Sequence, residues 1–99
     1  MTITEARNNE MLTLTVEGRL DTTTAPILEK TINELSDGVT ELILDMNQLA
    51  YVSSAGLRVL LSTQKKMSKI GSMKLTGICD EVMDVFEMTG FADILDIVK

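Results

Sequence analysis

The sequence predicts an α/β protein in which strands and helices alternate, in the order β-β-α-β-α-β-α-(β). Three observations predict it. Apolar and polar residues alternate strictly over 12–17, apolar residues recur at helical spacing in three later segments, and a glycine closes each of those segments (Gly38, Gly71, Gly90). At 99 residues the chain is long enough to bury one hydrophobic core, so a single domain over 1–99 is expected.

The first two strands are expected over 2–7 and 11–17, joined by a hairpin turn at Asn8-Asn9, because Asn tolerates left-handed backbone. Leu12, Leu14 and Val16 alternate with Thr13, Thr15 and Glu17, giving one buried and one wetter face. Gly18-Arg19-Leu20-Asp21 ends the second strand, and Thr22-Thr23-Thr24-Ala25-Pro26 opens a helix to about residue 37. Pro26 suits the first turn, where a missing N–H costs nothing, and Ile27, Leu28, Ile32 and Leu35 supply the stripe expected to be buried. Residues 41–46 (ELILDM) read as a short parallel strand covered on both faces. A second helix is expected over 54–70 with Leu57, Leu60, Leu61 and Met67 on one face. A strand over 73–77 follows, then a helix over 81–88 with Val82, Val85 and Phe86 inward, and a last strand or extended tail over 94–98. Parallel strands joined by helices point one way, so the loops at 21–24, 50–56 and 78–80 should gather at one edge of the sheet. Both serines of the second loop, Asp21 and Asp80 are therefore expected to be neighbours.

Composition narrows the function. Apolar residues make up 44% and charged residues 24%, with two Phe, one Tyr and no Trp, so aliphatic residues and seven Met must fill the core. A net charge of −6 argues against nucleic acid as a partner. No apolar run approaches the roughly 20 residues of a membrane span, so no membrane insertion is expected. The start MTITEARNNE lacks the basic and apolar segments of a signal peptide, and the single Cys suits a reducing compartment, which together predict a cytoplasmic location. With no His in the chain, His-dependent catalytic triads are impossible and the commonest zinc ligand is missing. Neither GxxxxGK[ST] nor GxGxxG occurs, so no enzyme, cofactor or metal site is expected.

The informative stretch is NQLAYVSSAGLRVLL, residues 47–61. Ser53 and Ser54 stand at the start of the second helix and have two readings. One is capping, in which a hydroxyl accepts from a free backbone N–H. The other is phosphorylation, because a helix N-terminus receives a phosphate without disturbing the fold. Asp21 likewise reads as a cap for the first helix or as a residue that shapes the serine loop, and Cys79 reads as a small buried apolar residue. Between Asp45 and Asp80 there is no acidic residue, whereas Arg58, Lys65, Lys66, Lys69 and Lys74 give that segment +5 and leave the remainder at −11. Arg58, Ser62, Lys65 and Lys69 share one helical stripe, which is either a solvated face or a docking stripe leading away from the serines.

GRLDTTTAPILEK followed by LILDMNQLAYVSSAGLRVLL resembles the STAS domain of bacterial anti-sigma factor antagonists, or anti-anti-sigma factors. The family pattern is roughly G-x-[LI]-D-x-x-[TN]-[AS] before the first helix, then D/N-[LM]-x-x-[LV]-x-[FY]-[ILMV]-D-S-[ST]-G-[LI] before the second. DVFEMTGFADIL echoes a third family segment, so the likeness runs in register along the chain. The resemblance implies a mixed sheet with helices mainly on one face. It also implies a protein that, unphosphorylated, binds an anti-sigma factor serine kinase and frees a sigma factor. By register with Gly56 the phospho-acceptor is Ser54, with Ser53 a competing acceptor that replaces the usual Asp. Asp21, Thr24, Ser53, Ser54, Gly56 and Arg58 are the implied partner-binding residues, and a PP2C-type phosphatase is the implied reversing partner. The alternative is a peripheral STAS subunit of a membrane transport complex.

Overall fold

The computed structural model describes residues 1–98. Its elements run β1 (Thr2–Asn8), β2 (Met11–Leu20), α1 (Ala25–Leu35), β3 (Glu41–Val52), α2 (Ser54–Ile70), β4 (Ser72–Thr76), α3 (Asp80–Thr89), a short 3₁₀ turn (Phe91–Asp93) and β5 (Ile97–Val98). The five strands form one sheet in the order β1-β2-β3-β4-β5, with β1 antiparallel to β2 and every later pair parallel. This is the expected element order in a mixed sheet. Each parallel strand is added on the same side of the last, so right-handed crossovers bring the helices to one face.

The hairpin turn is centred one residue later than expected. Asn8 pairs with Met11, leaving Asn9 and Glu10 as the loop, and Asn9 takes the left-handed φ of 57°. Burial then alternates down the sheet. Leu12, Leu14, Val16, Leu42, Leu44, Met46, Met73 and Leu75 are buried on the helix-covered face. Ile43 is only half-buried, between Thr13 and Lys74 in the register, so β3 is covered on one face and not on two. The apolar density of ELILDM reflects one exposed-side Ile in an otherwise alternating strand.

The helices close over this face. Leu28 and Ile32 from α1, Leu57, Leu60 and Met67 from α2, and Val82 and Phe86 from α3 join the same core cluster. Ile27 was expected in the α1 stripe but is 53% exposed, because the helix starts at Ala25 and turns its buried face through Ala25, Leu28 and Ile32. Leu35, Leu61 and Val85 are half-buried at the edges of their faces.

The largest departure from expectation is the length of the central strands. β3 runs to Val52 and β2 to Leu20, six and three residues past the expected ends. Two register irregularities, between Thr15 and Glu17 and between Gly18 and Arg19, let the pair continue, with Gly18 at φ 104°. Asn47 begins the irregular stretch, its N–H and Nδ2 donating to Asp45 Oδ1 at 3.1 and 2.8 Å. Beyond it Met46, Leu49 and Val52 are buried at intervals of three, which hides a strand from a search for alternation.

Phe86 is fully buried where α3 meets the sheet. Phe86→Ala is expected to destabilise the protein by about 3–5 kcal/mol, read as a lower urea midpoint with an unchanged far-UV spectrum before the transition.

Candidate functional site

The extra length of β2 and β3 carries the two serines to the far end of the sheet. Arg19 pairs with Tyr51 and Leu20 with Val52, and the Ser53 N–H then donates to the Leu20 carbonyl at 2.8 Å. The chain turns there directly into α2. Gly56 makes that turn possible, since a Cβ on it would stand 2.7 Å from Leu20 Cγ and 3.0 Å from Leu20 O. The first turn of α2 is thus pressed onto the end of β2 at a distance only glycine permits.

Within this turn the serines divide. Ser53 has extended backbone (φ −91°, ψ 175°), and its Oγ accepts from the Gly56 N–H at 3.3 Å, so it is the N-cap of α2. Ser53 is half-buried, whereas Ser54 is the first helical residue and exposed. Arg58 follows one turn later on the helix and is exposed as well.

The neighbouring loop is held by Asp21. Its Oδ1 accepts from the Thr23 hydroxyl at 2.8 Å and from the backbone N–H groups of Thr23 and Thr24 at 3.0 and 3.1 Å. Its carbonyl accepts from the Ala25 N–H at 2.8 Å. Thr24 stands at the N-cap of α1 without a side-chain capping bond. Its hydroxyl instead donates to the Arg19 carbonyl at 2.7 Å and accepts from the Asp21 N–H at 2.8 Å, tying the loop back to β2. The Thr23 hydroxyl, and after it the Thr24 N–H, holds the Asp21 carboxyl below its ordinary pKa, against a smaller opposing effect of burial. Asp21 therefore fixes the loop beside the serines and is not the N-cap of α1, a position that Thr24 takes.

Asp21, Thr24, Ser53, Ser54, Gly56 and Arg58 are brought to this one end of the molecule. Asp80 is not. β4 pairs with β3 only as far as Asp45 opposite Thr76, so its exit loop lags behind the serines. Cys79 lies half-buried with its Sγ 3.6 Å from the Leu49 carbonyl, four residues short of Ser53, and Asp80 lines a separate cavity of about 430 Å³ with Gly77, Met83 and Glu87. Uneven strand lengths break the expected convergence of the three loops.

Two residues of this end were not singled out from the sequence. The Arg19 guanidinium lies 4.4 Å from the centre of the Tyr51 ring, a cross-strand cation–π contact one residue before the serine turn. Only the register across the irregular stretch brings them together, and no local motif announces it. Arg58 also forms one end of a shallow groove of about 420 Å³ along α2 with Leu61, Ser62, Lys65, Lys66 and Lys69.

Residues 2–99 match the sequence model of the STAS domain. The chain belongs to the STAS domain family. Among curated relatives it is 29% identical over 92 residues to the anti-sigma-B factor antagonist of Bacillus subtilis (strain 168), covering 92% of this chain and 84% of that one. Among solved structures it superposes with a TM-score of 0.86 on an anti-sigma factor antagonist from Mycobacterium paratuberculosis, at 23% identity, covering 97% of this chain and 83% of that one. The Bacillus cell fate determinant SpoIIAA in its phosphorylated form has the same fold, with a TM-score of 0.75 at 17% identity over 99% of this chain and 92% of that one.

Two variants test how this STAS domain builds the serine turn. Gly56→Ala is expected to cost about 1–3 kcal/mol, because the methyl group must displace Leu20 or the helix start; a midpoint equal to the parent's would contradict the close approach. Asp21→Asn tests the loop through pH. A lowered folded pKa makes the carboxylate's contribution present above the ordinary carboxylate pKa, and it is lost as pH falls through the folded value. The parent should therefore be more stable than Asp21→Asn at neutral pH, and urea midpoints of the two should converge as pH falls through the folded value.

Proposed function

We propose that this STAS domain protein is an anti-sigma factor antagonist, and that its partner is an anti-sigma factor with serine kinase activity. The names of the curated relatives favour this reading over a transport subunit; the sheet and helices alone suit either binding role. The observation that carries the switch is the division of the serines: Ser53 is occupied as the cap of α2, and Ser54 is exposed at the first helical position.

In the unphosphorylated form the serine turn and the exposed side of α2 dock the anti-sigma factor, which then releases its sigma factor. Asp21 and Thr24 hold the adjoining loop, Gly56 allows the close turn, and Arg58 contributes positive charge. The kinase supplies ATP and its metal ion. Ser54 Oγ attacks the γ-phosphorus, a new O–P bond forms, the bond to ADP breaks, and the hydroxyl proton passes to the kinase side. The added phosphate brings about −1.5 to −2 charges into the docking surface and ends binding. A PP2C-type phosphatase hydrolyses the ester and restores the hydroxyl. The protein contributes an acceptor and a surface in the cytoplasm, needs no cofactor of its own and catalyses no turnover. No described helix is long and apolar enough to cross a membrane.

The test is incubation with the cognate kinase and ATP, followed by mass mapping of the phosphate. Phosphate is expected on Ser54, absent in Ser54→Ala and retained in Ser53→Ala, with the latter about 1 kcal/mol less stable through loss of its cap. Modification of Ser53 alone would overturn the assignment. Ser54→Asp is expected to remain folded, since negative charge suits a helix start, and to bind the kinase more weakly.

A further inference from the structure

Ser54 and Arg58 are both exposed and stand at positions i and i+4 of α2. That spacing puts their Cβ atoms about 5–6 Å apart on one face, within reach of a long side chain. Among the described residues no carboxylate pairs with Arg58. The sequence contains no acidic residue between Asp45 and Asp80, and among the described residues the recorded ion pair is Lys30–Glu34. The other cations near the serines are placed differently. Arg19 lies over the Tyr51 ring in the preceding strands, and Lys65, eleven residues after Ser54, is about 16 Å further along the axis. Asp21 holds the adjoining loop, and its negative charge disfavours a phosphate turning towards that loop.

We propose that Arg58 is the residue of this chain that reads the phosphate on Ser54, and that modification withdraws Arg58 from the α2 groove. The proposal rests on the reading of Ser54 as the phospho-acceptor. A guanidinium matches phosphate oxygens through two parallel N–H donors, a stronger union than it makes with water or with a mobile partner side chain. Unmodified, Arg58 is the end of the groove nearest the serine turn and adds its charge to those of Lys65, Lys66 and Lys69. Lys66 is steadied by Asn33 Oδ1 and Ser36 Oγ, each 3.3 Å from its Nζ and both neutral, so the groove keeps its positive character. With phosphate on Ser54 the guanidinium folds one turn back along the helix. One modification then does two things: it adds negative charge at the turn and removes one positive charge from the groove. A partner that docks through acidic groups on α2 loses a contact it never shared with the serine.

The experiment uses the full chain with phosphoserine installed at position 54 during synthesis, so no kinase is required. The second ionisation of the phosphate is followed by ³¹P NMR as pH is varied, in the parent, in Arg58→Gln and in Lys65→Gln. The charged groups of the adjoining elements are Arg58 on α2, Asp21 on the loop before α1 and Arg19 on β2; the last two, like the backbone of the helix start, are common to all three proteins. Expected is an ionisation in Arg58→Gln that lies about half a unit above the parent's, the scale of one exposed i,i+4 cation acting on a dianion, with Lys65→Gln matching the parent. Equal ionisation in the parent and Arg58→Gln would overturn the proposal. So would an equal shift in Lys65→Gln, which would mark a general field and not a contact. Arg58 is exposed, so the variant keeps the fold, checked by its urea midpoint. Failure here leaves Ser54 standing as the kinase substrate, and failure of a kinase to modify Ser54 leaves this measurement standing.

Discussion

The hydrogen bond from the Ser53 amide to the Leu20 carbonyl, 2.8 Å long, is the contact on which the serine-bearing end of the molecule depends. It is the last rung between β2 and β3, and it exists because both strands continue past the point where β4 stops. Those extra residues carry no helix-covered core as dense as that of the first half. What holds them is the mutual pairing of the two strands, anchored by buried Leu20, Leu49 and Val52. A shorter β3 would have turned into α2 level with the β4 exit, crowding the serines among the loops. The overshoot instead presents them on a rigid spur, with α1 and α2 both starting beside it.

Rigidity at the spur comes from polar groups with assigned tasks. Asp21 uses one oxygen to gather the Thr23 and Thr24 amides, and Thr24 uses its single hydroxyl proton on the Arg19 carbonyl at 2.7 Å, its shortest acceptor. Ser53 satisfies an amide of the first α2 turn. Each of these groups is committed within the chain, and the two exposed groups left facing outward one turn apart are Ser54 and Arg58. A side chain meant for chemistry with a partner must be free of structural duty, and a switch needs a scaffold that does not move when it is modified. The serine turn suits both conditions of the proposed switch.

Element type and order were legible because helical spacing, glycine stops and the N-terminal alternation are local signals. The α2 cap was legible too, since a serine ahead of α2 is where capping chemistry places it, whereas Thr24 and not Asp21 takes the N-cap position of α1. The lengths of β2 and β3 were not legible, since two irregularities replace alternation with apolar residues three apart and a polar Asn47-Gln48 pair mimics a loop. Every site-level difference follows from that. Asp80 falls short of the serines, and Arg19 meets Tyr51, only because the strands extend. Ile27 failed for another reason: helical spacing defines a face but not its centre, and Ala25, small enough to be overlooked, belongs to the buried stripe of α1 and turns it away from Ile27.

The serine at position 53, where the family pattern carries Asp, gains meaning from this geometry. A carboxylate there would cap α2 equally well and would add a second negative charge to the one on Asp21, directly before the proposed acceptor. It would repel a phosphate on Ser54, and it would also compete with that phosphate for the nearest cation. A hydroxyl caps with one neutral acceptor and does neither. Under the proposed switch the cation one turn away would meet a single claimant, a phosphate on Ser54, so the replacement of Asp by Ser and the presence of Arg58 would act in the same direction. The capping and modification readings of the two serines are then not rivals: a neutral cap at 53 leaves the charge of the turn to be decided by what happens at 54.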